Sequence, residues 1–279
     1  MSIITLIPVS IILGVIYLVF NLNERIAYNY SAVMLFLFIW TFAGGIISWL
    51  ASIIFAKFIM DVRIISPDEK DPLLAKVALI IKNTAIKAGL RKVPQAGFYK
   101  SNEINAFTSG PSKDNALIAV SDKLVYAMDD EQIEGVIAHE ISHIQNSDTD
   151  IMTVMHGAVN AEILFLSFII CSFLGIPPDN AYSEVYAFEV FFGIFALMAI
   201  CSFSQRREFL ADAGSARLVG REKIISALKV LRKNKESDRD SHTSMAAFKI
   251  YGNTKSFCRL LASHPPIEER IRRLEEFSC

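Results

Sequence analysis

The residues best equipped for chemistry lie in the segment "VIAHEISHIQNSD", Val136 to Asp148. His139 and His143 are four apart, so on a helix they project from one face, one turn apart, and can share an ion. A catalytic zinc takes three protein ligands and keeps a further position for water. Glu140, beside the first histidine, is placed to take a proton from a water that such an ion activates. The plain alternative is a pair of surface histidines on an amphipathic helix. The flanking residues argue for a helix independently of the motif: Asp129 can cap it, and Ile133, Val136, Ile137, Ile141 and Ile144 keep helical spacing.

A third ligand has to come from a separate element. In "RREFLAD", Glu208 and Asp212 are again four apart on a segment of helical pattern, hence on one face. Glu208 could complete the metal sphere. Asp212 could accept a hydrogen bond from the other ring nitrogen of a ligand histidine and so fix its tautomer. Taken alone, Arg206, Arg207 and Glu208 fit an ordinary solvated helix face better.

The elements that must position these residues are legible in outline. "SPDEKDPLLAKVALIIKNTAIKAG" reads as a helix with Asp71 as cap, Pro72 in its first turn and Gly89 at its end. "QAGFYKS", "NEINAFT" and "NALIAVS" read as short strands, the last two separated by a turn at "GPSKDN". Ser121 caps a short helix, "DKLVYAM", and Asp129 the helix that carries the histidines. "SQRREFLADAGSARLVGREKIISALKVLRK" is helical by pattern, and Asn234 to about Thr254 reads as a mobile polar loop. "SHPPIEERIRRLEEF" closes the chain as a helix with Ile267, Ile271 and Leu274 on one face.

Composition adds a membrane. The 279 residues are 52% hydrophobic with a mean hydropathy of +0.37, more apolar than an average soluble domain. Ile3–Phe20 and Ala32–Ala56 are uncharged runs of spanning length. The first lacks the basic start and small-residue exit of a cleaved signal, so an anchor is the better reading. Two further runs, Ile151–Gly175 and Val185–Phe203, contain His156, Asn160, Glu162 and Glu189, and read either as spans or as a buried hairpin. Basic residues are sparse in the linkers "NLNERIAYNYS" and "IPPDNAYSE", which puts both outside and all polar regions in the cytoplasm. "QNSDTD" then marks the step from the histidine helix to the third run. Net charge is −1, so no basic field speaks for nucleic acid. Cys171, Cys201, Cys258 and Cys279 are widely spaced with no CxxC, as in a reduced compartment without disulfides.

Taken together, "HEISHIQNSD", "SFSQRREFLADAGSA", "NAFTSG" and "SHPPIEERIRRL" resemble the HtpX family of membrane zinc metallopeptidases, distantly related to the CAAX prenyl endopeptidases. The likeness runs over residues 1–279 in order, with "NSD" where that family commonly has "NGD". It implies a gluzincin-type site with Glu208 as third ligand and Asp212 as supporting carboxylate. It implies also that Asn105 and Ala106 belong to a substrate-binding strand, to whose edge a peptide could add; alone, "NAF" is a plain core strand. His264 in "SHPP" could approach the site and steady an oxyanion or domain closure, or serve as a structural cap. His156 reads as a packing residue and His242 carries no signal.

The expected protein is α+β: a mainly helical zincin-like metallopeptidase domain with a small sheet, plus four transmembrane helices. Residues 1–59 hold two spans, 60–150 the first part of the peptidase domain, 151–203 a hydrophobic hairpin of two spans, and 204–279 the second part. One Zn2+ per chain is held by His139, His143 and Glu208, with Glu140 as catalytic base. The expected partners are polypeptide substrates, especially membrane proteins, and the lipid bilayer. The expected place is the cell inner membrane, multi-pass, with the catalytic domain and both termini cytoplasmic and a role in membrane-protein quality control or stress response. The alternatives are a CAAX-type prenyl-protein endopeptidase and a non-catalytic scaffold stabilised by zinc.

Overall fold

The computed structural model describes residues 39, 47, 50, 52–176, 182–241 and 262–277. By internal contacts the chain divides into two units, Gly45–His156 with Leu197–Cys279, and Met1–Gly44 with Gly157–Ala196. The first unit holds helix α1 (Ser52–Ile59), strand β1 (Arg63–Ile64), α2 (Pro72–Lys87), β2 (Gln95–Tyr99), β3 (Ala106–Ser112), β4 (Asn115–Ser121), α3 (Asp122–Ala127) and α4 (Asp130–Gln145). Then come α5 (Asp148–Phe173) and α6 (Tyr182–Val219), which contribute residues to both units, and α7 (Arg221–Ser241) and α8 (Ile267–Glu276).

The strand order is β1-β2-β4-β3, with β2 parallel to β4 and the other pairs antiparallel. The near-continuous apolar run of β4 suits a central strand covered on both faces. Ile118 and Val120 pack with Val77 and Ile81 of α2 and Ile137 and Ile141 of α4, while Leu117 and Ala119 pack with Ile53 and Ala56 of α1. The sheet is thus the middle layer, and the histidine helix lies directly on one side of it.

Local chemistry sets the ends of these elements. The Asp71 carboxylate accepts from Leu73 N–H ahead of Pro72, and the Ser121 hydroxyl accepts from Leu124 N–H. Asp129 and Gln132 form a reciprocal capping box at the start of α4. At its end Ser147 takes a left-handed conformation, φ +55°, which turns the chain sharply into α5.

Three expectations are corrected. "GPSKDN" is not the turn: β3 continues through Gly110 and Pro111 to Ser112, with a register shift after Ser109, and Lys113 and Asp114 make the turn. Gly110 at φ +142° supplies a backbone that other residues resist, which lets the strand absorb the irregularity. The strand also begins only at Ala106, so Asn105 lies just ahead of it. The polar stretch from Asn234 is not a loop at its start, since α7 runs on to Ser241; residues 242–261, His242 included, lie outside the described residues.

The four expected spans fare unevenly. Residues 3–20 lie outside the described residues, as does most of 32–56. Among the described residues one helix, Ser183–Val219, is long and apolar enough to cross a bilayer. In the second unit, Cys171 and Val185 are buried together beside Ile176 and Phe188.

Two glycines bring the helices of the first unit close. A Cβ on Gly135 of α4 would sit 2.8 Å from Ile224 N and 2.8 Å from Lys223 C at the start of α7. A Cβ on Gly214 of α6 would sit 2.8 Å from Ser142 Cβ of α4. The Ser215 hydroxyl also donates to Gly135 O at 2.8 Å. Alanine at 135 normally gains about 1 kcal/mol in a helix, but overpacking against backbone costs about 1–3 kcal/mol. Gly135→Ala is therefore expected to lower the thermal unfolding midpoint of the detergent-solubilised protein; an unchanged or raised midpoint would show the approach to be loose.

Candidate metal centre and active site

The second half of α4 carries both histidines: His139 and Glu140 are buried, at 7% and 8% exposed, and His143 is partly buried. Because α6 crosses α4 at Gly214 and Ser142, Glu208, six residues before Gly214, arrives over the imidazoles. His139 Nε2 lies 3.5 Å from Glu208 Oε2, and His143 Nε2 lies 3.4 Å from Glu208 Oε1. The two Nε2 atoms are 3.1 Å apart. These spacings of 3.1–3.5 Å compare with about 3.3 Å between ligands of a tetrahedral ion whose bonds are ~2.0–2.1 Å. His139, His143 and Glu208 thus form a group able to hold a metal.

Each histidine is gripped from behind by a carboxylate that is itself held by an arginine. His139 Nδ1 lies 3.0 Å from Asp212 Oδ1, and Arg270 of α8 donates twice to Asp212, at 2.7 and 2.8 Å. His143 Nδ1 lies 2.6 Å from Asp148 Oδ2, and Arg207 of α6 pairs with Asp148 while donating to Asn146 O at 3.0 Å. Such a partner fixes the ring so that Nε2 faces the centre. Asp148, Arg207 and Arg270 were not singled out from the sequence. Arg270 left a signal there: it stands three residues after Ile267, on the stripe that Ile271 and Leu274 continue, where a charged residue needs a buried partner.

The charges are unbalanced without an ion. Glu140, Asp148, Glu208 and Asp212 are buried carboxylates, and the guanidiniums among them are Arg207 and Arg270. With both imidazoles neutral, as ligation requires, the deficit is two positive charges, which a divalent cation would supply. Glu208 Oε2 is buried without a hydrogen-bond partner; Arg270 Nη1 is 3.3 Å away but lacks hydrogen-bond geometry. A buried carboxylate oxygen left this way is costly unless something else meets it. The residues fit a metal ion.

Protonation shows the same imbalance. Burial lowers the pKa of His143, but Asp148 and Glu208 outweigh it and push the pKa up to about 10. Burial likewise opposes, and Asp212 and Glu208 overcome, a rise at His139. Burial raises the Glu208 carboxyl, yet the two imidazoles and Arg270 hold it far below the usual range.

The remaining expected site residues fall around this centre. Thr108 of β3 donates to Glu140 Oε2 at 2.8 Å. Ala106 opens β3, opposite Val120, while Asn105 is tied to β4 by Ser121, its N–H donating to Oγ at 3.1 Å and its carbonyl accepting from the Ser121 N–H at 2.9 Å. His264 is exposed, with Nε2 3.6 Å from Glu208 Oε1 and Nδ1 2.9 Å from Ser263 Oγ. All of them line, or adjoin residues that line, one cleft of about 370 Å³. His156 is exposed on α5 and lies away from that lining.

Comparison with known proteins agrees with this constellation. Residues 74–278 match the model of peptidase family M48. The chain is 37% identical over 255 residues to a protease HtpX homolog of Bacillus pumilus, covering 88% of this chain and 84% of that one. It is 38% identical over 256 residues to protease HtpX of Shewanella loihica, covering 88% of each. The crystal structure of S. mikatae Ste24p shares the fold at TM-score 0.64 and 18% identity; the match covers 95% of this chain and spans 62% of that one. The chain belongs to peptidase family M48, among its HtpX proteases.

A testable consequence concerns protons. Imidazoles must be neutral to ligate, and both are raised above their ordinary 6.5 in the metal-free site, so a bound cation displaces protons held at pH 7. Apparent affinity for a divalent ion should therefore rise with pH through neutrality, and the rise should fade as pH approaches the raised pKa of about 10 of His143. Titration calorimetry at pH 7 in buffers of different ionisation enthalpy should show net proton release on ion binding. Release of none would refute this charge balance.

Proposed function

We propose that this chain is a zinc-dependent endopeptidase with four membrane spans and a cytoplasmic active site, cutting membrane or misfolded proteins in membrane-protein quality control. The observation that carries the chemistry is the largely buried group of His139, His143 and Glu208, two positive charges short when the imidazoles are neutral, with Glu140 beside it. When bound, the ion would supply Lewis acidity to a water and to a peptide carbonyl. Glu140, oriented by the Thr108 hydroxyl, takes the proton of the attacking water and passes it to the amide nitrogen as the C–N bond breaks. Asp212 and Asp148, backed by Arg270 and Arg207, hold the imidazoles in one tautomer throughout.

The substrate is placed by β3. It is the last strand in the sheet order, so its outer edge has no strand partner among the described residues, and its first residues line the cleft. Main-chain pairing to Ala106–Thr108 would hold an extended peptide past Glu140, and pairing through main-chain atoms reads little sequence. His264, at the rim near Glu208, is assigned to the developing oxyanion. Membrane attachment is supported by the helix Ser183–Val219 and by the uncharged runs 3–20 and 32–56.

In detergent the parent protein is expected to degrade unfolded casein in a metal-dependent manner, with no need for a farnesyl group on the substrate. Glu140→Gln should keep its zinc and lose activity by about 10²–10⁴-fold. Full activity in that variant would remove Glu140 from the mechanism, and a strict farnesyl requirement would favour a prenyl-protein endopeptidase.

A further inference from the structure

The cleft has two chemically different ends. Beyond Glu140 in one direction lie Asp148, Thr149, Ser204 and Arg207. In the other direction the lining is mainly apolar, Ile104, Leu124, Val136, Ile224, Leu228 and Leu231, with Asn105 beside Ile104 as a polar member. Val136 precedes His139 by three residues and Glu140 by four, so it stands one turn along the same face of α4. Ile224, Leu228 and Leu231 are spaced by four and three on one face of α7. The close approach at Gly135 clamps the start of α7 to α4 at this level, which makes the apolar end a rigid wall.

The direction of β3 says which part of a substrate meets that wall. Thr108 reaches Glu140, and Lys113, five residues on, donates to Gln145 O, five residues on from Glu140. Strand and helix therefore run the same way, and Ile104 and Ala106 lie towards the Val136 end. A peptide pairing antiparallel to β3, as β4 does on the other edge, has its carboxyl-terminal half at this end. We infer that Ile104, Val136, Leu228 and Leu231 form a specificity pocket for a large apolar side chain on the residue that supplies the leaving amine. The inference rests on the endopeptidase reading above and gives it a substrate class: bonds that precede Leu, Ile, Met or Phe. Such residues are concentrated in membrane-spanning segments and in the cores that misfolded chains expose.

Burying a large apolar side chain rather than a small polar one should discriminate by about ten- to a hundredfold in kcat/KM. Full-length zinc-loaded protein in detergent, given denatured casein, should yield fragments whose new amino termini are mainly Leu, Ile, Met or Phe by mass spectrometry. Paired peptides with Leu or Ser at that position should separate by the stated factor. Leu231 is a half-buried member of that lining, so Leu231→Lys should lose the preference and accept Asp or Glu there. Leu231→Phe, which keeps the wall apolar, should shift the choice from large to small apolar residues and decides the matter if the lysine variant unfolds. Cleavage without this preference, a preference on the acyl side of the bond, or an unchanged profile in a folded Leu231 variant would overturn the pocket alone. A parent protein that cuts nothing would remove the endopeptidase reading, and the pocket's role with it.

Discussion

Everything in the catalytic unit answers to one electrostatic constraint: four carboxylates are buried around two imidazoles with only two guanidiniums to balance them. Ionised groups in a low-dielectric interior are tolerable only when paired and hydrogen-bonded. Asp212 and Asp148 are satisfied by arginines, whereas Glu208, over the histidines, has only the imidazoles and a shared Arg270 at 3.3 Å to set against its charge, and Glu140 lies beside them. The fold concentrates negative charge at a single point and fixes the rings that face it. A divalent ion there would meet the charge that the fold gathers.

That arrangement draws on elements far apart in sequence. Arg270 is 131 residues from His139, yet their side-chain nitrogens approach to 3.4 Å. The helix crossings that bring them together depend on small residues, Gly135 and Gly214, where any side chain would meet backbone or Ser142. Asp148 has two tasks at once, holding His143 and beginning α5, the helix that carries the third apolar run. The short "NSD" step between the motif and that run is therefore built into the metal centre. A change at this corner would be felt at His143 directly.

What was legible in the sequence was what short-range physics decides. Helix starts at Asp71, Ser121 and Asp129 follow from side chains that accept from nearby N–H groups, and the spacing of His139 and His143 follows from the helical period. Glu208 and Asp212 could be placed on one face, but their meeting with the histidines depends on how α6 crosses α4, which periodicity does not encode. The same holds for Asp148, Arg207 and Arg270, whose partners are supplied by tertiary packing. The turn at "GPSKDN" was misplaced because Gly and Pro normally end strands, whereas here Gly110 accommodates a bulge within β3. The polar stretch after Asn234 looked like a loop because no apolar stripe marks it; the helix continues there from α7 by simple propagation.

The central claim is that His139, His143 and Glu208 hold one catalytic zinc in a shell of nitrogen and oxygen. X-ray absorption spectroscopy on the purified full-length protein tests this most directly. The account predicts one zinc per chain with nitrogen and oxygen neighbours only, at ~2.0–2.2 Å, and an imidazole scattering signature. A sulfur shell near ~2.3 Å, or a protein that retains no zinc at neutral pH, would contradict it.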